Sequence, residues 1–193
     1  MSFFKQFNST VYQSLENCIA TDANQNVLET GAAMDAWCRR TEKLKKDNST
    51  MYLIGNGASS QMAGHMSADA AKNGQIRAQA FHETSLMTAV SNDISYENVF
   101  AYPLGRFADP GDVLVTISSS GNSPNIMKAI EVAQELGLDV ITLSGKGADN
   151  KSRDKGVLNF YVPSNSYGVV ECAHQVILHS WLDQYMDENG LEI

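Results

Sequence analysis

Four serines fall within six positions of one turn: Ser118, Ser119, Ser120 and Ser123, beside Gly121 and Asn122 in "ISSSGNSP". A second stretch, "IGNGASS" at 54–60, repeats the theme with Asn56, Gly57 and Ser59. Each follows an apolar run that reads as a strand, and each precedes a segment with helical spacing. The first N–H groups of such a helix lack intrahelical partners, and the helix dipole favours an anion there. Gly55, Gly57 and Gly121 permit close approach of the backbone, and the serine hydroxyls add donors. This is the chemistry of a neutral phosphate cradle, which needs no lysine and no metal. Helix capping accounts for one such side chain per helix, and four serines in six positions exceed that need. "GNGASS" lacks the G-x-x-x-x-G-K pattern of a P-loop, and the G-x-G-x-x-G fingerprint fails at Ser60, so no nucleotide cofactor is expected.

A second set of residues could do proton or metal chemistry. Asp69 follows His65 by four, so both project from one face of the helix after the first cradle. Glu171 and His179 are eight apart, a little over two turns of the last helix, and share a broad face. Two imidazoles and two carboxylates suit zinc by ligand type. His174 lies roughly 140° around the helix from His179, so the two do not converge, and His174 and His82 read as hydrogen-bonded core residues.

Alternating strands and helices must position these groups. Residues 3–21 place Phe4, Phe7, Val11, Leu15 and Ile19 at spacings of three and four, which predicts an amphipathic helix. A second helix is expected from about Asn24 to Lys46 through Val27, Leu28, Ala32, Met34 and Trp37. This pair either packs on the later core or is offered to another subunit, since exposed Phe and Trp need a partner. From Met51 the chain reads as strand "MYLI", helix Ser59–Lys72, strands "IRAQAF" and "LMTAV", strand "DVLVTIS" and helix 123–137. Strand "DVITLS", a helix-sized gap at 146–156, strand "LNFYVP" and a helix over Tyr167–Asp187 complete it. The expected fold is α/β, a three-layer doubly wound parallel sheet with an N-terminal helical pair. Residues 1–193 read as one domain, with 1–48 as a helical oligomerisation segment.

Composition narrows the partners. A chain of 193 residues can bury roughly 70% of its unfolded surface in one core. Fourteen Lys plus Arg against 22 Asp plus Glu give a net charge of −8, and "RRTEKLKK" at 39–46 looks like a solvated helix face. Nucleic acid is therefore not an expected ligand. The three cysteines have no C-x-x-C spacing and leave an odd count, which suits a reduced, cytoplasmic protein. The N-terminus lacks a secretory pattern, and no apolar run approaches a membrane span, so no membrane partner is expected.

Together, "GNGASSQMAGH", "SND" at 91–93, "GDVLVTISSSGNSPNIMKAIEVAQELGLDVITLSGK" and "VPSNSYGVVECAHQVILH" resemble the sugar isomerase (SIS) domain. Within that superfamily they most resemble the bacterial phosphoheptose isomerases, over nearly the whole chain. The resemblance implies a ketose–aldose isomerase, acting on sedoheptulose 7-phosphate in heptose or lipopolysaccharide precursor synthesis. It also implies a homotetramer with sites at subunit interfaces. By resemblance Ser118, Ser119, Ser120 and Ser123 hold the sugar phosphate. Asn56, Gly57, Ser59 and Glu171 belong to the same pocket, and Asp93 lies near the sugar hydroxyls. Asp69 and His179 stand where the family has its catalytic glutamate and histidine. His65 and Glu171 complete, with them, the zinc site of some members.

Two departures stand out against the family. Asp69 is one methylene shorter than the usual glutamate, which moves the base by about a bond length. Glu171 replaces a glutamine, and Gly168 and Val169 replace an acidic–basic pair, which leaves the sugar open. The rival expectation is a non-enzymatic SIS protein, either a sugar-phosphate sensor or a DnaA-binding replication-initiation factor. The latter lacks an acid at the Asp69 position and a histidine at the His179 position, so their presence here favours an enzyme.

Overall fold

The computed structural model describes residues 2–192. Helix α1 (Phe3–Glu16) leads into a hairpin of β1 (Ile19–Asp22) and β2 (Val27–Leu28), followed by α2 (Thr30–Lys46). The chain then runs β3 (Met51–Gly55), α3 (Ala58–Lys72), β4 (Ala78–Ala80), α4 (Thr84–Asp93) and a 3₁₀ turn at Tyr96–Asn98. After α5 (Ala101–Phe107) come β5 (Val113–Ser118), α6 (Pro124–Glu135), β6 (Asp139–Gly145), β7 (Leu158–Val162) and α7 (Tyr167–Glu188). All seven strands form one sheet in the order β2-β1-β7-β6-β5-β3-β4. The five strands from β7 to β4 are parallel, and β1 joins antiparallel to β7.

Alternate residues of the central strands feed two cores, which is why those strands are apolar throughout. Leu53, Val113, Val115 and Ile117 pack with α2, α3 and α7 around Trp37, Met66 and Trp181. Tyr52, Ile54 and Leu114 pack on the other face with Phe100, Leu104, Ile126 and Ile130. The sheet is therefore covered on both faces, as a doubly wound sheet requires. From β3 the chain crosses to β4 on one side, and from β5 to β6 on the other. The switch point between those adjacent strands opens a crevice beyond their carboxyl ends, where ligands bind in such sheets.

Several sequence expectations are corrected. Helix α1 stops at Glu16, and Ile19 sits in β1, paired with Tyr161 of β7. Val27 and Leu28 form β2 rather than opening the second helix, because Asp22 closes a tight turn. Its Oδ1 accepts from the N–H groups of Asn24 and Asn26, at 2.8 and 2.9 Å. The segment "LMTAV" is helical within α4, where the Glu83 carboxylate caps the N–H groups of Ser85 and Leu86. No helix forms in the gap at 146–156, and α5 was not expected. Trp37 is fully buried, its ring stacked 4.7 Å from that of Trp181, so the core of its own chain is its partner.

Helix α1 is different. Phe3, Phe4 and Tyr12 stay 80%, 71% and 63% exposed, while Phe7 rests on α7 beside Gly168. Among the described residues no helix is long and apolar enough to cross a membrane.

Candidate active site

Both glycine–serine junctions lie at the switch point. A cavity of about 160 Å³ opens there, lined by Asn56 and Ser59, by Ser118, Ser119, Ser120 and Ser123, and by Glu171 with Ile117 and Tyr167. The first pair comes from the β3–α3 junction, the four serines from the end of β5 and the turn into α6, and Glu171 from the second turn of α7. Its volume is below the roughly 300–1,000 Å³ of sites that engulf a drug-sized ligand. It suits a compact polar group such as a phosphate, with the rest of a ligand extending outward.

The serine turn is built to point donors inward. Gly121 takes φ +62°, a conformation that side chains resist, and its N–H donates to Ser118 Oγ at 3.2 Å. Asn122 N–H donates to Ser120 Oγ at 3.3 Å. Because these two oxygens accept from the turn, their own hydrogens remain free to donate to an anion. Ser123 occupies the N-cap position of α6, yet its hydroxyl makes no capping bond. Capping therefore does not explain that serine. Gly57 caps α3 at φ +58° and ψ −122°, a backbone conformation open only to glycine, and sets the N-terminus of α3 beside the crevice, where the N–H groups of Ser59 and Ser60 donate to the carbonyls of Asn56 and Gly57.

Asn56 is held by residues that sequence reasoning missed. Its amide and that of Asn125 exchange two hydrogen bonds of 2.9 Å, and Tyr96 donates its hydroxyl to Asn56 Oδ1 at 3.1 Å. Asn125 is buried and also accepts from the N–H of Ile126. This pair ties the two cradles together. The only signal for it was another asparagine one residue past "SP", in the first turn of α6. Tyr167 was missed too, although it stands four residues before Glu171, one turn back on the same helix face. Asp93, at the end of α4, is exposed, accepts from Asn92 Nδ2, and is not among the residues that line the cavity.

The proton-transfer candidates lie further along α3 and α7. His65, Asp69 and His179 each offer a ligand atom within 4.8 Å of the other two. His65 Nε2 is 3.3 Å from Asp69 Oδ2, and the two imidazole rings meet edge-on with centroids 5.4 Å apart. Two ring nitrogens and a carboxylate oxygen at this spacing fit a tetrahedral zinc after small side-chain adjustments. Glu171 is outside that cluster and lines the serine cavity instead. The remaining histidines are neither in that cluster nor in the cavity lining. His174 is fully buried with Nε2 3.1 Å from the Ser144 carbonyl oxygen, and burial pushes its pKa down to about 4. His82 is not the hydrogen-bonded core residue expected: it is half-buried against Gly64, its Nε2 has no hydrogen-bond partner among the described residues, and burial lowers its pKa.

Comparison with known proteins agrees with this geometry. The SIS domain family model matches residues 6–145. The phosphoheptose isomerase of Shewanella denitrificans is 34% identical over 172 residues, 85% of each chain. That of Akkermansia muciniphila is 33% identical over 145 residues, 72% of this chain and 76% of its own. The structure of a phosphoheptose isomerase from Francisella tularensis superposes with a TM-score of 0.76 over 97% of this chain and 100% of its own. At 24% identity, that likeness concerns the fold. With the serine cavity at the switch point and the sequence likeness on either side of it, the chain belongs to the SIS-domain family and, within it, to the sugar-phosphate isomerases of the phosphoheptose isomerase group.

Proposed function

We propose that the chain interconverts sedoheptulose 7-phosphate and D-glycero-D-manno-heptose 7-phosphate, in the cytoplasm, for lipopolysaccharide or related surface-sugar precursors. One observation carries this reading: the serine cavity and the His65–Asp69–His179 cluster share the same two helices at a fixed offset. Ser59 to His65 is six residues of α3 and Glu171 to His179 is eight of α7, axial rises of about 9 and 12 Å. An extended chain advances about 1.1–1.2 Å per bond. In a seven-carbon sugar seven bonds separate C2 from phosphorus, roughly 8 Å, whereas a five-carbon sugar spans only about 6 Å. Of the two, the longer substrate comes closer to spanning that offset, with the side chains at either end making up the remainder.

In this reading the hydroxyls of Ser118, Ser119, Ser120 and Ser123, with the N-termini of α3 and α6, hold the phosphate. Asn56, Gly57, Ser59 and Glu171 bound the same pocket. Asp93 meets sugar hydroxyls beyond the cavity mouth, on the segment that Tyr96 ties to Asn56. The Asp69 carboxylate removes the proton from C1 of the ketose, giving an enediolate, and returns it to C2. His179 carries the proton between O1 and O2. His65, Asp69 and His179 would hold a zinc whose charge would polarise those oxygens, while Glu171, outside that cluster, lines the serine cavity. Tight ligation and base catalysis would compete for the Asp69 oxygens, so with zinc bound Asp69 would either release the metal on substrate binding or cede the base role. The exposed apolar face of α1 is covered in a homotetramer.

Turnover of sedoheptulose 7-phosphate, compared with a five-carbon ketose phosphate, tests the reading. The seven-carbon substrate should be favoured, and Asp69→Asn should lower kcat by at least ~10²-fold. Equal or faster turnover of the shorter sugar would overturn the substrate assignment. Full activity of protein stripped of metal would remove zinc from the mechanism.

A further inference from the structure

The serine cavity has no lysine or arginine among its lining residues and one carboxylate, Glu171, in a chain of net charge −8. A phosphate dianion entering it meets an unfavourable field unless a cation stands close by. Lys146 meets that need. It follows the last residue of β6, and its ammonium lies 3.6 Å from the ring centroid of Tyr167, a residue of the cavity wall. Register places it well: Ser118 of β5 is paired with Ser144 of β6, so Lys146 leaves its strand at the level where Ser120 leaves the neighbouring one.

The backbone at Lys146 is also unusual. Its φ is +57°, the left-handed region where glycine is the unstrained choice. Hydrogen bonds on both sides hold it there. Its N–H donates to the Ser164 carbonyl at 3.0 Å, and its carbonyl accepts from the Tyr161 hydroxyl at 2.8 Å. A strained position fixed from both sides and occupied by a long cation, when glycine would relax it, points to a use for the side chain.

We propose that Lys146 is a binding residue for the sugar phosphate. Its ammonium rests on the Tyr167 ring at the cavity rim and supplies the positive charge that the hydroxyl cradle lacks. A cation–π contact at an exposed ring is weak enough to yield to a dianion. Gly168 and Val169 contribute no charge at the start of α7, so Lys146 is the residue that makes this cavity select phosphorylated over neutral sugars. The inference rests on the serine cavity being the phosphate seat.

The test is calorimetric titration of sedoheptulose 7-phosphate into the full-length wild type, Lys146→Gln, Lys146→Gly and Lys146→Arg. Loss of one charge contact at a partly exposed site is expected to weaken binding roughly tenfold in the Gln and Gly variants, and to flatten its salt dependence. Arg should bind nearly as wild type. The Gly variant relaxes the backbone, so its melting temperature should not fall, which separates lost charge from lost fold. Unchanged affinity in Lys146→Gln, or an equal loss in Lys146→Arg, would overturn the role of Lys146 while the serine cradle stands. If the wild type itself does not bind the sugar phosphate, the cradle reading fails and this inference with it.

Discussion

Replacing Gly121 with alanine loads two separate strains onto the serine turn. The first is conformational: at φ +62° a Cβ costs about 1–2 kcal/mol. The second is a collision, because that Cβ would stand 2.0 Å from Asn150 Oδ1 and 2.4 Å from its Cγ. Asn150 is buried and cannot simply swing away. Its Nδ2 reaches the Gly147 carbonyl at 2.8 Å and the Gly145 carbonyl at 3.3 Å, and its Oδ1 accepts from the Arg153 N–H at 3.1 Å and the Ser152 hydroxyl at 3.3 Å. Breaking two of these bonds, at about 1 kcal/mol each, brings the total to about 3–4 kcal/mol. For 193 residues the unfolding entropy is about 0.4 kcal/mol/K, so Tm should fall by about 7–10 °C. Gly57→Ala is the internal control. Its backbone, at φ +58° and ψ −122°, carries a penalty of about 1–3 kcal/mol, but no atom lies within 4 Å of the added Cβ, so its Tm should drop by only about 3–7 °C. Differential scanning calorimetry of the two variants reads this directly. A Gly121→Ala protein that melts within a degree of wild type, or a Gly57→Ala protein that melts lower, would refute the reasoning.

Ser123→Ala should leave Tm unchanged, since the hydroxyl makes no capping bond. It should weaken sugar-phosphate binding by roughly 1.5–3 kcal/mol, the worth of a hydrogen bond to a charged oxygen, and equal affinity by titration would take Ser123 out of the phosphate seat. His174 governs an acid limit. Folding lowers its pKa to about 4 from an ordinary value of 6.5, so below pH 6.5 the unfolded chain takes up a proton that the folded chain refuses. Stability is then level above pH 6.5 and declines as pH falls toward 4, by up to about 3 kcal/mol. Urea unfolding at pH 7 and pH 4.5 should show a smaller loss in His174→Gln, and an identical loss in both proteins would contradict this. The uncovered face of α1 predicts a tetramer by light scattering, and a monomer at micromolar concentration would count against interface-built sites.

Much of this architecture is written locally. The strands of the parallel sheet from "MYLI" to "LNFYVP" were legible because each is a short apolar run bounded by turn residues, and α3, α6 and α7 because their apolar positions recur at helical spacing. The two cradles were legible for the same reason: a phosphate turn is made by consecutive residues. The errors fall where pairing over long sequence distance overrides local pattern. Ile19 and Val27 fit a helical period, yet the open edge of β7, some 140 residues away, draws the first into a strand and Asp22 folds the second back onto it. "LMTAV" has strand-like residues, but a glutamate cap at Glu83 starts a helix first.

The site divides along the same line. Residue type and spacing marked the serines, His65, Asp69, Glu171 and His179, since helical geometry alone sets which of them share a face. Only the packing of α3 beside α7 decided that His65, Asp69 and His179 draw together while Glu171 turns to the phosphate cavity. Only the crossover at the switch point placed Asn125 opposite Asn56, and Lys146 over Tyr167. Those contacts join residues tens of positions apart, or the ends of separate strands and helices, and their geometry belongs to the sheet order rather than to any window of sequence.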